Sequence, residues 1–351
     1  MSKAGLGVME QLRKGRLWAD AYYHRVDKPF YRERLEDFLP RKMIDIHAHA
    51  TSPAEIIPGA PAPSFWAERV CPNGMTVEAL LESYRLLFPG KEVRPVIFPY
   101  PSPRFDPAKG NEYVSKESRR LGLRCLILTD PAWSAEELER YVEAGGFVGL
   151  KPYPSMARGK TPERVEIYDF LPTHHLELAD RKRWLIILHI PRPGRLMDQV
   201  NLRQLMELDR TYPRARVVVA HVGRSYCDRY AESLDELADS RNLLFDISAN
   251  ANQLVFERLI DTVGTERVLF GSDLPVTAMH SRRICEGDNY VNIILDADWE
   301  DNHTRIGQPE DEITFFLYEA IDAFRRAADR VGLGRKEIEM IFFRNAERLV
   351  G

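Results

Sequence analysis

The sequence predicts an α/β fold: a (β/α)8 barrel with an N-terminal extension and C-terminal helices. Two observations point there. From Met43 onward, eight apolar, β-branched runs alternate with helix-spaced segments, and most runs are continuously apolar, as parallel strands covered on both faces must be. Polar residues of metal-ligand type also end several different runs. A barrel gathers such ends at one mouth, and a doubly wound open sheet explains them less well.

The strand candidates in order are Met43–Ala50, Val93–Pro99, Leu123–Asp130, Phe147–Pro152, Trp184–Ile190, Arg216–Val222, Leu243–Ala249 and Arg267–Leu274. Helical spacing predicts helices over Thr76–Leu87, Ser134–Ala144, Ile167–Asp180, Asn201–Asp209, Ser233–Ala238 and Asn252–Val263. Ser134 and Glu137 form a capping box in the third-residue register. The chain reads as one domain over 1–351, with three segments outside the repeat. Residues 1–42 form a charged, helical N-terminal extension. Ala50–Asn73, rich in Pro and Ala, forms a loop over the barrel mouth. Residues 276–308 are too long for an ordinary connector and read as a lid or substrate loop, or as a surface insertion. Residues 309–351 supply closing helices over Glu310–Val331 and Lys336–Leu349.

Composition excludes several function classes. Net charge is 49 − 53 = −4, which gives no support to a nucleic-acid partner. No apolar run approaches the roughly 18 residues of a membrane span. Residues 1–20 lack a continuous apolar stretch, so no signal peptide is expected. Cys71, Cys125, Cys227 and Cys285 are scattered with no CxxC pair, and Cys125 falls in an apolar run as plain core. A reducing cytoplasm is therefore the expected compartment.

The chemistry sits at the strand ends. In Met43-Ile44-Asp45-Ile46-His47-Ala48-His49-Ala50 the two histidines share one strand face, about 7 Å apart at Cα. Two imidazoles there can close on one metal ion at about 2.0–2.1 Å each. His189 ends the fifth run, His221 the sixth, Asp273 the eighth and Lys151 the fourth. Any one of these has a bland reading as a satisfied polar residue, a turn cap or a snorkelling lysine. Six together at C-terminal tips point to a metal site at one mouth. Arg192 and Arg224 each follow a histidine by three residues and can grip a carboxylate bidentately, which favours an anionic small-molecule substrate. Arg104, Tyr100 and Tyr153 are further mouth candidates, and Ser64-Phe65-Trp66 either lines the pocket or packs the loop.

Over Met43 to Leu349 the sequence resembles the amidohydrolase superfamily, in its amidohydrolase-2 branch of metal-dependent TIM-barrel enzymes. That branch includes aminocarboxymuconate-semialdehyde decarboxylase. The resemblance is carried by Asp45-Ile46-His47-Ala48-His49, Gly149-Leu150-Lys151-Pro152, the His189 and His221 strand ends, Gly271-Ser272-Asp273-Leu274-Pro275 and Asn345-Ala346-Glu347-Arg348-Leu349. It implies that His47, His49, His189 and Asp273 bind one divalent ion, with His221 beside it acting on substrate or water. Three imidazoles and a carboxylate suit Zn2+, with Mn2+ or Fe2+ less favoured.

Lys151 divides the family. In binuclear members a fourth-strand lysine is carboxylated and bridges two ions, and His189 and His221 would then hold the second. Mononuclear relatives use the position otherwise, often to hold substrate, and one ion is the favoured reading here. The implied activity is hydrolysis of an amide, ester or lactone bond in a small carboxylated substrate by a metal-activated water. Asp273 would take its proton, and His221 would stabilise the oxyanion or shuttle a proton. The alternative is a metal-dependent decarboxylase of the same branch. The expected partner is the substrate alone, with homo-oligomers allowed.

Overall fold

The computed structural model describes residues 21–63, 65–295 and 297–351. Residues 1–20 of the expected extension, and Ser64 of the expected pocket run, lie outside the described residues. Eight parallel strands follow one another around a barrel in sequence order. They are β1 (Lys42–His49), β2 (Glu92–Phe98), β3 (Arg124–Leu128) and β4 (Gly149–Lys151), then β5 (Leu185–Leu188), β6 (Arg216–Val219), β7 (Leu244–Asp246) and β8 (Val268–Leu269). Every expected strand is present, but the later ones are shorter than their apolar runs. His189, His221 and Asp273 therefore lie just beyond regular strand, where the backbone is free to turn them inward.

Closure runs between β1 and the segment after β8. Ile46 N–H donates to Phe270 O at 3.0 Å, Asp273 N–H to His47 O at 2.8 Å, and His49 N–H to Leu274 O at 2.8 Å. Gly271 permits this approach, since a Cβ there would stand 2.8 Å from the His47 Cβ. Ile44, Ile46, Val96, Leu126, Ile187, Val218 and Leu269 fill the barrel interior, and Phe343, Ala346 and Val350 pack into the same cluster. The closing Asn-Ala-Glu-Arg-Leu run is thus structural. Asn345 Nδ2 donates to Thr265 O and Val268 O, both at 2.8 Å.

The outer layer comprises α1 (Val77–Leu87), α2 (Pro107–Leu121), α3 (Ala135–Gly145), α4 (Thr173–Lys182), α5 (Gln199–Thr211), α6 (Gln253–Val263) and α7 (Phe316–Val331). The Ser134–Glu137 capping box forms in both directions. The helix expected over Ile167–Asp180 breaks in two, because Pro172 disfavours helical backbone at Leu171. The helix expected over Ser233–Ala238 is a 3-10 turn, Glu232–Leu237, whose Leu234 and Leu237 are both buried at a three-residue spacing. Helix α2 escaped the spacing argument because its sequence is largely polar. Asp106 starts it by accepting from Ala108 N–H and Lys109 N–H.

The segment after β8 is no simple loop. It folds as β9 (Ser281–Glu286), β10 (Asn289–Ile294) and β11 (Thr304–Ile306), with β9 and β10 an antiparallel hairpin turning at Gly287-Asp288. Cys285 of β9 is disulfide-bonded to Cys227, which lies 58 residues earlier in the loop after β6. No spacing pattern announces this pair, because the fold alone brings the partners together, and it departs from the reduced, unpaired cysteines expected above. Cys125 is buried in the core as expected. Among the described residues, no helix is long and apolar enough to cross a membrane.

Candidate metal centre and active site

The pairing of β1 with β2 shifts register between Asp45 and Ala48. Ile44 and Ile46 face the barrel interior, while Ala48 belongs to the outer core. The bulge thus turns His47 and His49 inward after two inward isoleucines, which strict alternation would forbid. Their ring centroids lie 5.5 Å apart.

Each ligand-type side chain is aimed by a partner. His47 Nδ1–H donates to Asp246 Oδ2 at 2.9 Å, which leaves Nε2 as a bare lone pair. His49 Nδ1 faces Pro99 O at 3.5 Å, and its Nε2 stands 3.2 Å from Asp273 Oδ1. The same Asp273 oxygen is 3.6 Å from His47 Nε2. His221 Nδ1–H points to Ser248 O at 3.0 Å, with Ser248 Oγ at 2.8 Å. Buried Asp246 is the hub: it also accepts from His221 N–H at 2.9 Å, Ser248 N–H at 3.1 Å and the Ser248 hydroxyl. Asp45 performs a parallel task on the other side, accepting from His47 N–H and Ser272 N–H at 2.9 Å each and from Tyr84 OH at 2.6 Å.

The backbone is strained where these residues turn in. His221, Val222, Gly223 and Arg224 are all left-handed, with φ of 55°, 51°, 61° and 59°, and Asp273 has φ 57°. A β-branched residue such as Val222 rarely adopts this region, and each such residue costs about 1–3 kcal/mol. Hydrogen bonds to Asp246, Asp45 and the flanking carbonyls offset that cost.

Electrostatics set the protonation states that a metal requires. Burial drives His47 down to about 3, with Lys151 pushing the same way and Asp246 opposing. Burial also lowers His49, and it carries His189 well below its ordinary value. Burial works to raise Asp273, but the His49 hydrogen bond and the surrounding imidazoles outweigh it and hold the carboxyl at about 2. Burial lowers Lys151 to about 7, against the pull of Asp246 and Asp273.

Two ligand triads result, and they share His47: His47, His49 and Asp273, and His47, His189 and His221, each with ligand atoms within 4.8 Å of one another. Among the described residues, buried His189 Nε2 has no hydrogen-bond partner. Neutral imidazole nitrogens and a carboxylate oxygen that converge with their lone pairs form a cation site, so the residues fit a divalent ion. Lys151 Nζ lies 3.4 Å from His47 Nε2, and both residues are fully buried behind the cavity lining.

The cavity above is about 210 Å³, lined on one side by His49, His189, His221 and Asp273. Tyr153, Arg224, Tyr100, Phe65 and Trp66 also line it, as the sequence suggested. Arg192 does not: its guanidinium turns to Glu163 O at 2.8 Å and Asp198 Oδ1 at 3.3 Å, and it braces a loop. Arg104 likewise holds the mouth loop, donating to Pro61 O at 2.9 Å and Pro72 O at 2.7 Å. Sequence reasoning missed Asp246, Ser248, Tyr226, Arg283 and Tyr290. Asp246 had a signal, an acidic residue interrupting the seventh apolar run at its C-terminal end. The last three had none, since loops and the inserted sheet deliver them.

The family profile described as Amidohydrolase matches residues 44–351. The chain belongs to the amidohydrolase-2 family. This family is metal-dependent. Solved structures share the fold at low identity. A probable 2-pyrone-4,6-dicarboxylic acid hydrolase from Acinetobacter baumannii, with citric acid bound, is 17% identical with a TM-score of 0.55, over 88% of this chain and 98% of that one. The 5-carboxyvanillate decarboxylase of Sphingomonas paucimobilis is 12% identical with a TM-score of 0.56, over 89% and 99%. A dihydroxybenzoic acid decarboxylase from Polaromonas sp. JS666, with bound manganese and the inhibitor 2-nitroresorcinol, is 14% identical with a TM-score of 0.52, over 88% and 97%. No curated protein matches the chain.

Proposed function

We propose that this amidohydrolase-2 protein is a metal-dependent hydrolase that cleaves an amide, ester or lactone bond in a small carboxylated molecule. The observation that carries the reading is the convergence of His47 Nε2, His49 Nε2 and Asp273 Oδ1, with His189 beside His47 and its Nε2 unpartnered among the described residues. His47, His49, His189 and Asp273 would hold one ion, and their donor set favours Zn2+. A bound ion supplies Lewis acidity toward a carbonyl and toward water.

The remaining chemistry belongs to the chain. Asp273 accepts the proton that the attacking water gives up. His221 keeps its hydrogen on Nδ1 for the Ser248 carbonyl, so its Nε2 receives or relays a proton in the cavity. This tautomer suits proton transfer better than oxyanion binding. Lys151 stays an unmodified amine and, buried behind the lining with Nζ 3.4 Å from His47 Nε2, acts through that ligand rather than by touching the substrate. Arg224 and Tyr153 hold the substrate's carboxylate end, and the aromatic lining excludes water.

A second reading keeps the site and replaces hydrolysis by loss of carbon dioxide. The aromatic lining favours it, because it fits a ring. A panel of lactones, amides and aromatic carboxylates, incubated with metal-loaded protein, separates the two. A new carboxyl group with uptake of water supports hydrolysis, and carbon dioxide release supports decarboxylation. Failure of both across the panel in metal-replete protein counts against an enzyme.

A further inference from the structure

Two guanidiniums crowd one group of aromatic rings at the mouth, and a third lines the same cavity. Arg195 lies 5.3 Å from the Tyr226 ring centroid and 4.8 Å from that of Tyr290. Arg283, on β9, lies 4.4 Å from Tyr226, 4.7 Å from Tyr290 and 4.5 Å from Phe316. Arg224 lines the cavity together with Arg283. Among the described residues none of the three pairs with a carboxylate. Their hydrogen bonds go to the Tyr230 hydroxyl, to Asn292 and to the carbonyls of Ile190, Pro191 and Ala249. Asp273 acts on Arg283 electrostatically but makes no ion pair with it; a sheltered cation with no contacting carboxylate is costly to a fold, so an anion supplied at contact distance would be bound strongly.

Arg283 is the best presented of the three. Its Nε donates to Asn292 Oδ1 at 2.9 Å and its Nη1 to Ala249 O at 2.5 Å. Nη2 has no hydrogen-bond partner among the described residues. With rings packed around it, the guanidinium offers a fixed edge of Nη2 and one Nη1 hydrogen, the fork that a carboxylate accepts. The cavity of about 210 Å³ exceeds the ~150 Å³ known to hold benzene, which leaves room for one substituted ring.

We propose that Arg283, carried to the mouth by the inserted sheet, is a specificity-determining residue that binds an anionic group on a single-ring aromatic substrate. The proposal rests on the reading above only in taking this cavity as the substrate site. The rings of Trp66, Tyr100, Tyr153 and Tyr226 supply faces for the substrate ring. The disulfide at Cys285, two residues from Arg283, ties the insert to the loop that carries Tyr226.

The test uses benzoate and its uncharged isostere benzamide as probes, with binding to the full chain measured by calorimetry. The parent protein is expected to prefer benzoate. Arg283→Gln keeps a donor for the Ala249 carbonyl and removes the charge. It is expected to weaken benzoate roughly ten- to hundredfold while benzamide stays within about twofold. Arg283→Lys is expected to restore part of the loss, and it decides the matter if the glutamine variant does not fold. Equal weakening of both probes would make Arg283 a mere brace of the Ala249 loop and overturn the proposal. So would an unchanged benzoate affinity, or a parent that binds neither probe. Measurements with metal loaded and stripped separate the two readings. A benzoate preference that vanishes on stripping and survives Arg283→Gln assigns the carboxylate to the ion, against this proposal. Absence of metal from the parent counts against the hydrolase reading and leaves the Arg283 comparison readable.

Discussion

The two walls of the cavity are built differently. One carries His49 and Asp273, with His47 directly behind them, on β1 and on the segment after β8, joined by ladder hydrogen bonds and braced by Asp45 and Asp246. The other carries Arg224, Tyr226, Arg283 and Tyr290 on the loop after β6 and on the inserted sheet, joined by a disulfide, an edge-on pair of rings and the Arg283 guanidinium over both. The first wall has its positions dictated by the barrel itself. The second depends on contacts between segments about 58 residues apart. The contrast separates chemistry, which the fold fixes, from recognition, which the loops can change without disturbing the barrel.

Substitutions should respect that division. The largest effect is expected in the metal wall: replacing His47 and His49 together by Ala should remove the ion and lower turnover roughly 10³-fold or more, with the fold retained. Elemental analysis and circular dichroism check this, and full metal content in the double variant would break the assignment. Asp246→Asn comes next. It loosens His47, His221 and Ser248 together, so metal affinity should fall about 10- to 100-fold, the usual scale for a partner that orients a ligand. Competition with a chelator measures it. An unchanged affinity would mean that the ligands hold their geometry unaided.

The second wall should respond in KM. Cys227→Ser with Cys285→Ser should raise KM severalfold, leave kcat and metal content near the parent values, and lower stability by up to about 4 kcal/mol for a loop of this length. A fall in kcat with unchanged KM would erase the distinction between the walls.

The smallest effect concerns the mouth loop. Glu55 is buried, with Oε2 lacking a partner among the described residues, and burial raises its carboxyl to about 7. A folded pKa above the ordinary value means that the protonated form is favoured in the fold. This contribution is greatest below pH 4.5 and is lost as pH rises toward 7. Glu55→Gln should therefore raise Tm by about 1–3 °C at pH 8, have little effect near pH 4, and leave metal content alone. Thermal scans at the two pH values check it.

The same division explains what the sequence made legible. His47, His49, Lys151, His189, His221 and Asp273 were readable because each ends an apolar run whose period and length are set by the barrel. The inward turn of both β1 histidines was right for an incomplete reason, since it needs the bulge after Asp45 as well as alternation. Asp246 was overlooked although an acid interrupts the seventh apolar run there, because its role as a partner of His47 and His221 shows only once the strands are side by side. Arg283 and Tyr290 were invisible because a hairpin of mixed polarity after β8 reads as loop, and only tertiary contact turns its face to the mouth. Arg192 was misread because equal spacing after two histidines does not give equal direction when Asp198 stands ready to pair with one of them.

In the proposed site one ion sits on His47, His49, His189 and Asp273, with His221 as a proton-handling neighbour. The most direct measurement is the metal content of His221→Ala beside the parent, read with turnover on the same samples. About one equivalent is expected in both proteins, with a large loss of rate in the variant. Two equivalents in the parent, halved in His221→Ala, would make His221 a ligand and contradict the one-ion site.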